Sequence, residues 1–261
     1  MGLLGVKWNQ FLAFLPLMMK TSYSESIFFP GCAFMKLDKK IIDGTHNLLK
    51  KYDKKIGLST CCCAKPSKVL GEEYYNKKVN LLVKQLKEAK IRKVYVACPN
   101  CNINLREISE KYDLNLEVIP IYDIICKLVN KNEKYYLVDE EISIHDPCRM
   151  REYPETIENV RLILDTIGQK YCEPKHSKRN TSCCGNINMI HVINPEKSKI
   201  IRDIRFKDFI GKTVLSYCNG CLYSVSKTGL KGIHICELLF GKSNKNSAIN
   251  RIKYILGSNI R

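Results

Sequence analysis

The sequence has 261 residues, of which 45% are hydrophobic and 14 are cysteine, and its formal net charge is +17. A chain of this length and composition can bury one large core or two ordinary ones, which excludes a disordered protein and a small scaffold that depends on disulfides. The lysines are scattered through every segment, without a basic stripe or interleaved aromatic residues. This pattern argues against a nucleic-acid surface and favours a solvated basic face that docks an acidic partner protein.

Residues 1–25 predict an N-terminal segment rather than a membrane anchor. The apolar patch from Phe11 to Leu15 is interrupted by Pro16 and is too short to span a bilayer, and no secretory cleavage site follows it. We expect a helix that docks on the body of the protein or on a partner. We also expect a cytoplasmic protein, and in that reducing compartment clustered thiols indicate metal or redox chemistry.

The first half of the chain alternates predicted strands and helices, with cysteines where they meet. Apolar runs predict strands, apolar repeats at threes and fours predict helices, and Pro- and Ser-rich stretches predict loops. In chain order these are a strand over 26–32, a helix over 36–51, a loop over 59–66, a helix over 71–90, a strand over 93–98 and a helix over 102–112. Cys32 and Cys98 therefore stand at the carboxyl ends of strands.

The second half repeats this order. Its predicted elements are a strand over 141–145, an exit turn over 146–148, a helix over 154–168, a loop over 181–187, a helix over 195–209 and a strand over 212–217. Strands that alternate with helices favour parallel sheets covered by helices, with right-handed connections.

We therefore predict an α/β protein formed by internal duplication of two βαβ-type, Rossmann-like cysteine-rich repeats. The predicted parts are the N-terminal segment 1–25, a first repeat over 26–130, a second repeat over 138–240 and a basic C-terminal tail over 241–261, with a linker near 130–138. In open α/β sheets ligands bind at the carboxyl ends of the strands, which is where the cysteines fall.

Each half carries five cysteines in one pattern: a single cysteine, an adjacent pair and a CxxC. The first set is Cys32, Cys62, Cys63, Cys98 and Cys101, and the second set is Cys148, Cys183, Cys184, Cys218 and Cys221. The first pair can also be read as Cys61–Cys62. We prefer Cys62–Cys63, because thirty-four residues then separate the pair from Cys98, close to the thirty-three between Cys184 and Cys218.

The chemistry of the thiols favours a polynuclear iron–sulfur group over zinc. A structural zinc takes four ligands and would leave one thiol of each set idle, and adjacent cysteines reach one ion awkwardly. Several irons can accept both thiolates of a pair, although the C-x₂-C-x₂-C spacing of ferredoxins is absent. Zinc in one repeat stays open as an alternative.

Four motifs carry a family resemblance that spans about residues 27–239. They are Phe29-Pro30-Gly31-Cys32, Cys62-Cys63-x-x-Pro66, His145-Asp146-Pro147-Cys148 and Cys183-Cys184-Gly185. These motifs resemble the CCG domains, the cysteine-rich repeats of heterodisulfide reductase, which also occur in iron–sulfur subunits of anaerobic glycerol-3-phosphate, glycolate and lactate oxidation. The resemblance implies a non-cubane 4Fe–4S cluster on all five cysteines of each set, with the two clusters at the repeat interface.

The resemblance also implies a function. We expect an iron–sulfur redox subunit that reduces a disulfide by two electrons, or oxidises two thiols, at its paired clusters. His145 is a candidate for protonating the products, and its alternative role is that of a structural histidine at a strand end. The alternative function is an electron-transfer subunit of a flavin-dependent dehydrogenase complex without disulfide chemistry.

One departure from the family pattern is that we expect no ferredoxin-like domain ahead of the repeats, unlike in many fused relatives. Electrons are therefore expected from a ferredoxin-like or flavoprotein partner subunit, and the substrate is expected to be a small thiol or disulfide.

Overall fold

A computed structural model describes residues 2–244, 248–258 and 260 of the chain. It divides into two compact units. The first unit is Met1–Ile121 together with Ser243–Arg261, and the second unit is Tyr122–Lys242. The predicted C-terminal tail over 241–261 contains a helix, and its positions 245–247, 259 and 261 lie outside the described residues.

Each unit contains one parallel sheet of four strands. In the first unit these are β1 Ser26–Phe29, β2 Gly57–Leu58, β3 Lys93–Val96 and β4 Glu117–Pro120, in the spatial order β2-β1-β3-β4. In the second unit they are β5 Ile142–His145, β6 Tyr171–Cys172, β7 Thr213–Ser216 and β8 Lys231–His234, in the order β6-β5-β7-β8. Because the second order repeats the first, the predicted α/β class and internal duplication are confirmed.

Helices connect the strands. Up to residue 121 they are α1 Leu3–Ala13, α2 Gly31–Phe34, α3 Lys39–Tyr52, α4 Glu72–Glu88 and α5 Pro99–Lys111. In the second unit they are α6 Tyr122–Leu128, α7 Pro154–Ile167, α8 Ile190–Ile193, α9 Pro195–Phe206, α10 Asn219–Val225 and α11 Ile235–Phe240. The chain then returns to the first unit with α12 Ala248–Leu256. None of the described helices combines the length and the apolar character that a bilayer crossing requires.

The central strands are buried on both faces, as parallel sheets covered by helices require. All four residues of β1 and all four of β5 are buried, and the apolar side chains of α4 and α7 lie on the inward faces of their helices. In α1, Val6 and Ala13 are buried while Leu4 and Trp8 are exposed, so this helix rests on the body of the first unit.

The sequence pattern missed the flanking strands β2, β4, β6 and β8. Two of them contain only two residues, and β4 and β8 begin with the charged residues Glu117 and Lys231. Such short, mixed segments form strands because buried neighbours β1, β3, β5 and β7 offer them hydrogen bonds, which is a tertiary cause.

The units divide ahead of the predicted linker. Helix α6 belongs to the second unit, where Asp123 accepts hydrogen bonds from Thr156 Oγ1 (3.0 Å) and Asn159 Nδ2 (3.0 Å) of α7. These contacts hold residues 122–128 against α7, so the predicted linker at 130–138 lies inside the second unit.

Candidate metal centres

The topology brings three chain segments to one edge of each sheet. In the order β2-β1-β3-β4 the connections from β1 and from β3 run in opposite directions, and a ligand crevice forms outside the carboxyl ends of strands at such a reversal. Cys32 follows β1, Cys98 follows β3, and the Cys62–Cys63 pair follows β2. In the second unit Cys148, Cys218 and the Cys183–Cys184 pair follow β5, β7 and β6 in the same way.

The thiols of the first set form a continuous chain of contacts. Neighbouring thiols interact in one series and shift one another's pKa: Cys32 with Cys62, Cys62 with Cys63, Cys63 with Cys101, and Cys101 with Cys98. Cys62, Cys63 and Cys101 are buried, whereas Cys32 and Cys98 at the two ends are partly exposed. Hydrogen bonds from Cys101 and then Cys62 lower the pKa of the Cys63 thiol to about 6.

Gly31 allows this close approach. Its φ is +75°, and a Cβ at this position would lie 2.7 Å from Cys101 Sγ. A side chain here would meet both backbone strain and the sulfur atom of Cys101. The glycine before Cys32 is therefore explained by the nearby thiol of Cys101, seventy residues later in the sequence.

Cys61 lies outside this chain of thiols. Its Sγ contacts Thr21 Oγ1 at 3.4 Å, and its backbone N–H donates to Ser59 Oγ at 3.3 Å. Burial raises the pKa of the Cys61 thiol, and the hydroxyl groups of Thr21 and Ser59 oppose that rise. Of the two ways to read the pair, the structure brings together Cys62 and Cys63.

The second set repeats the order of the first. Neighbouring thiols again interact in one series and shift one another's pKa: Cys148 with Cys183, Cys183 with Cys184, Cys184 with Cys221, and Cys221 with Cys218. The Sγ atoms of Cys184 and Cys221 lie 3.3 Å apart. Cys184, Cys218 and Cys221 are buried, and Cys148 and Cys183 are partly exposed.

Backbone amides point at two thiols of the second set. The N–H of Gly185 donates to Cys183 Sγ at 3.3 Å, and Ile187 donates to the same sulfur. Hydrogen bonds from Cys148 and then Cys184, together with these amides, lower the pKa of Cys183 to about 2. Hydrogen bonds from Cys221, through its side chain and its backbone amide, also lower the pKa of Cys218.

A buried ion pair holds the loop that carries the adjacent cysteines Cys183 and Cys184. Arg161 forms a two-point ion pair with Asp146, at 2.6 Å and 2.7 Å. Asp146 Oδ2 also accepts from the backbone N–H of Lys178, and its carbonyl oxygen accepts from Thr181 Oγ1 at 2.8 Å. Asp146 of the His-Asp-Pro-Cys motif thus anchors the connection from β6 to Cys183.

This anchored connection explains the unequal spacing of the two sets. Cys62 comes four residues after the end of β2 at Leu58, whereas Cys183 comes eleven residues after the end of β6 at Cys172. Helices α3 and α7 have equal lengths, so the longer gap in the second set lies mainly in this loop.

His145 is fully buried beside the second set. Its ligand atom and those of Cys184 and Cys221 all lie within 4.8 Å of one another. Its Nδ1 accepts from Arg205 Nε at 3.2 Å, and its Nε2 is buried without a hydrogen-bond partner among the described residues. Burial, and then the charge of Arg205, lower its pKa to about 3. The ring is therefore neutral at pH 7, with its proton on Nε2.

Sequence reasoning missed Arg205. It is 1% exposed, it stacks on Phe209 with its guanidinium carbon 4.6 Å from the ring centroid, and it donates to His145 from the middle of the second repeat. Nothing in its local sequence marks it, because an arginine on a helix normally predicts an exposed face.

The donor set fits a thiolate-bound group. Within the described residues, the one group of three ligand-type side chains whose ligand atoms all lie within 4.8 Å of one another is His145, Cys184 and Cys221. The five thiols of each set therefore lie in a row rather than around a single point. The unpartnered Nε2 of His145 adds a buried N–H donor beside that path.

A curated protein with a similar sequence is one subunit of the dihydromethanophenazine:CoB–CoM heterodisulfide reductase of Methanosarcina acetivorans. It is 24% identical over 212 residues, which cover 76% of this chain and 52% of that protein. The chain therefore spans about half the length of this relative.

Solved structures that match the chain weakly include proteins described as amino-acid racemases or their homologues. A glutamate racemase from Bacillus anthracis has 11% identity and a TM-score of 0.34 over 90% of this chain and 84% of its own. An aspartate racemase homologue from Pyrococcus horikoshii OT3 has 9% identity and a TM-score of 0.32 over 88% of this chain and 99% of its own. Scores of this size support no inference about fold or function.

The cysteine-rich domain named CCG matches the chain twice, over residues 27–106 and 142–226. These segments include both five-thiol sets and together cover more than half of the sequence. The chain therefore belongs to the CCG family of cysteine-rich domain proteins.

Proposed function

We propose that this protein is an iron–sulfur redox subunit of the heterodisulfide-reductase type. The observation that carries the proposal is the equivalence of the two thiol sets. In each unit, five thiols from three strand ends form one chain of contacts in the same order. The similarity to one component of a heterodisulfide reductase supports the same conclusion.

The spread of the thiols favours a polynuclear group over zinc. Four thiolates around one tetrahedral zinc lie about 3.8 Å from one another, given Zn–S bonds of about 2.3 Å. No three thiols in the described residues lie mutually within even 4.8 Å. A group with several irons spans a longer row of sulfur atoms, so each set suits one iron–sulfur cluster.

We propose that each set binds one 4Fe–4S cluster of the non-cubane type through all five of its cysteines. The ligands are Cys32, Cys62, Cys63, Cys98 and Cys101 for the first cluster, and Cys148, Cys183, Cys184, Cys218 and Cys221 for the second. When bound, such clusters supply the two electrons that cleavage of a disulfide requires, and iron to which the resulting thiolates bind.

Backbone amides stabilise the thiolate form of Cys183 in the second set. The amides of Gly185 and Ile187 donate to Cys183, and a thiolate that accepts N–H groups is held in its charged state. The unpartnered Nε2–H of His145 offers one more donor beside Cys184 and Cys221. Protonation of the product thiols through His145 stays a prediction.

Each thiol set includes partly exposed cysteines, through which a small substrate could reach the site. Cys32 and Cys98 in the first set, and Cys148 and Cys183 in the second, retain exposed surface. The relative in Methanosarcina acetivorans is named as one subunit of a reductase. We therefore propose that this chain also works with partner subunits, which deliver or remove its electrons.

Metal analysis of anaerobically purified protein tests the cluster proposal. We expect about eight irons per chain and little zinc, from two clusters of four irons each. Cys184→Ser should lower the iron content, whereas Cys236→Ser should not, because Cys236 is buried in α11 and belongs to neither set. About four irons with one zinc would overturn the paired-cluster proposal.

Thiol binding tests the disulfide chemistry separately. Small thiols should change the electron paramagnetic resonance spectrum of the oxidised protein, because sulfur that binds iron alters its electronic state. A full iron content with no spectral change for any thiol would instead support an electron-transfer role without disulfide chemistry.

A further inference from the structure

Two helices outside the matched CCG segments contact the first thiol set. Helix α1 precedes the first matched segment, 27–106, and helix α12 follows the second, 142–226, yet both belong to the first unit. Each helix buries one polar side chain near Cys62: Gln10 from α1 and Arg251 from α12.

Gln10 presents its amide to the Cys62 sulfur. The side chain is 1% exposed, and its Nε2 lies 3.9 Å from Cys62 Sγ. Ser67 Oγ donates to Gln10 Oε1 at 2.9 Å, which fixes the amide, and the Cys62 thiol also donates to Oε1 at 3.8 Å. Once Cys62 is a thiolate it can only accept a hydrogen bond, and Gln10 Nε2 is the donor in place.

Helix α12 is fastened to the first unit by several polar contacts. Asn250 Nδ2 donates to Asp38 Oδ1 at 3.0 Å, and Tyr254 OH donates to Asp43 Oδ1 at 3.2 Å. At the other end, Lys20 Nζ donates to the carbonyl oxygen of Ile255 at 3.0 Å. Arg251 lies between these contacts, so its position is set by the helix.

Arg251 is a buried charge with unpaired donors. It is 4% exposed, and its Nε and Nη2 have no hydrogen-bond partner among the described residues. Its positive charge reaches the thiols of Cys32, Cys61 and Cys62 and favours the thiolate form of each. A buried guanidinium is costly unless an anion pairs with it. The thiols of the first set feel its charge, so thiolates there would offset that cost.

We propose that Gln10 and Arg251 are positioning residues that stabilise added negative charge on the first cluster and so raise its reduction potential. The inference rests on the proposed cluster at the first set. A cation and an N–H donor beside cluster thiolates favour the reduced, more negative state, because the reduced cluster gains more from both than the oxidised one. Residues outside the CCG segments would thereby give the two otherwise equivalent clusters different reduction potentials.

A redox titration followed by paramagnetic resonance tests this inference, with Cys184→Ser as the background that removes the second cluster. We expect Arg251→Met to lower the ratio of reduced to oxidised first cluster about tenfold at a fixed potential, a shift of about 59 mV for one electron. Gln10→Leu should shift it in the same direction by less. Arg251→Lys should keep most of the original potential, because it keeps the charge.

Lys253→Met is the matched control, since it removes one positive charge from an exposed position on the same helix and should not change the potential. The inference would be overturned if Arg251→Met and Gln10→Leu both kept the full iron content of the first set and both left its reduction potential unchanged. If Arg251→Met loses that iron, recovery in Arg251→Lys supports a role of the charge, and equal loss in Arg251→Lys overturns it. Absence of iron from the first set of the unsubstituted protein would contradict the proposed function instead.

Discussion

Three consecutive cysteines in the first unit occupy two different environments. Cys62 and Cys63 contact other thiols, whereas Cys61 is held by the hydroxyl groups of Thr21 and Ser59. All three are buried, so exposure does not separate them. What separates them is the groups that each side chain meets: hydroxyl groups for Cys61, and other thiols for Cys62 and Cys63.

Alanine substitutions of adjacent cysteines test this separation. Cys63→Ala should remove the iron of the first set, about half of the total, because it breaks the chain of thiols at its centre. Cys61→Ala should keep full iron and cost about 1 kcal/mol of stability, from a small loss of buried volume. Iron content and urea unfolding under anaerobic conditions measure both effects. Loss of iron in Cys61→Ala with retention in Cys63→Ala would restore the Cys61–Cys62 assignment.

Two buried histidines in the second unit offer a matched comparison. Burial lowers the pKa of both His145 and His234 to about 3, so both are neutral at pH 7. His145 lies beside the second thiol set, whereas His234 caps helix α11 by accepting from the N–H of Cys236 at 3.2 Å.

Leucine at either position should destabilise the protein, but through different contacts. His145→Leu leaves Arg205 Nε without its acceptor, at a cost of about 1–3 kcal/mol, and His234→Leu loses a helix cap worth about 0.5–2 kcal/mol. We expect a changed paramagnetic spectrum of the second cluster in His145→Leu alone. The same spectral change in His234→Leu would mean that the effect comes from lost stability rather than from the Nε2 donor.

At the scale of elements, the cysteines of each thiol set come from the segments that follow the strand ends. The single cysteine and the CxxC of each set follow the two central strands, and a positive-φ glycine, Gly31 or Gly185, shapes the backbone beside a thiol. Cys98 and Cys218 stand immediately before helices α5 and α10, so that Cys101 and Cys221 fall in the first turn. One helical turn then brings both thiols of a CxxC to the same edge.

Two glycines with similar backbone angles test the role of Gly31. Gly31→Ala should lose iron from the first set, because its Cβ would lie 2.7 Å from Cys101 Sγ. Gly168→Ala, at φ +77° with nothing within 4 Å of its Cβ, should keep full iron and cost about 1 kcal/mol from backbone strain. Equal iron in the two variants would show that Gly31 is kept for its backbone angle alone.

The sequence was sufficient for the elements whose pattern is strong and local. The apolar periodicity of α4 and α7 and the β-rich runs before Cys98 and Cys148 predicted helices and strands that the structure contains. The β2 and β6 strands were missed because two residues carry no readable pattern, although they carry the Cys62–Cys63 and Cys183–Cys184 pairs to their sites.

The polar surroundings of the thiols could not be predicted in the same way. Arg205 and Arg251 lie on helices, where a charged residue normally faces solvent, and both are buried. Gln10 lies on a helix fifty-two residues from Cys62 in sequence. Which of these side chains approaches a thiol depends on tertiary packing, whereas the cysteine motifs and the family resemblance that they carry were enough to propose the ligands.

At the scale of the whole molecule, chain order and compact units do not coincide. Helix α6 leaves the first sheet to pack on α7 in the second unit, and residues after 242 return to the first unit with α12. The return buries Arg251, Tyr254 and Ile255 against the first unit. Helix α12 therefore belongs to the same compact unit as the first thiol set.

A chain that ends at Lys242 should show this dependence directly. Removal of α12 exposes the surface that Tyr254 and Ile255 cover and takes away the cation near Cys32 and Cys62, so we expect the first unit to unfold at lower urea concentration. The first-set iron should be lost or its spectrum changed, while the second-set spectrum stays as in the full chain. The full chain with Cys184→Ser, which removes the second signal, identifies which spectrum belongs to which set. If truncation instead disturbed the second signal and spared the first, the assignment of α12 to the first site would be wrong.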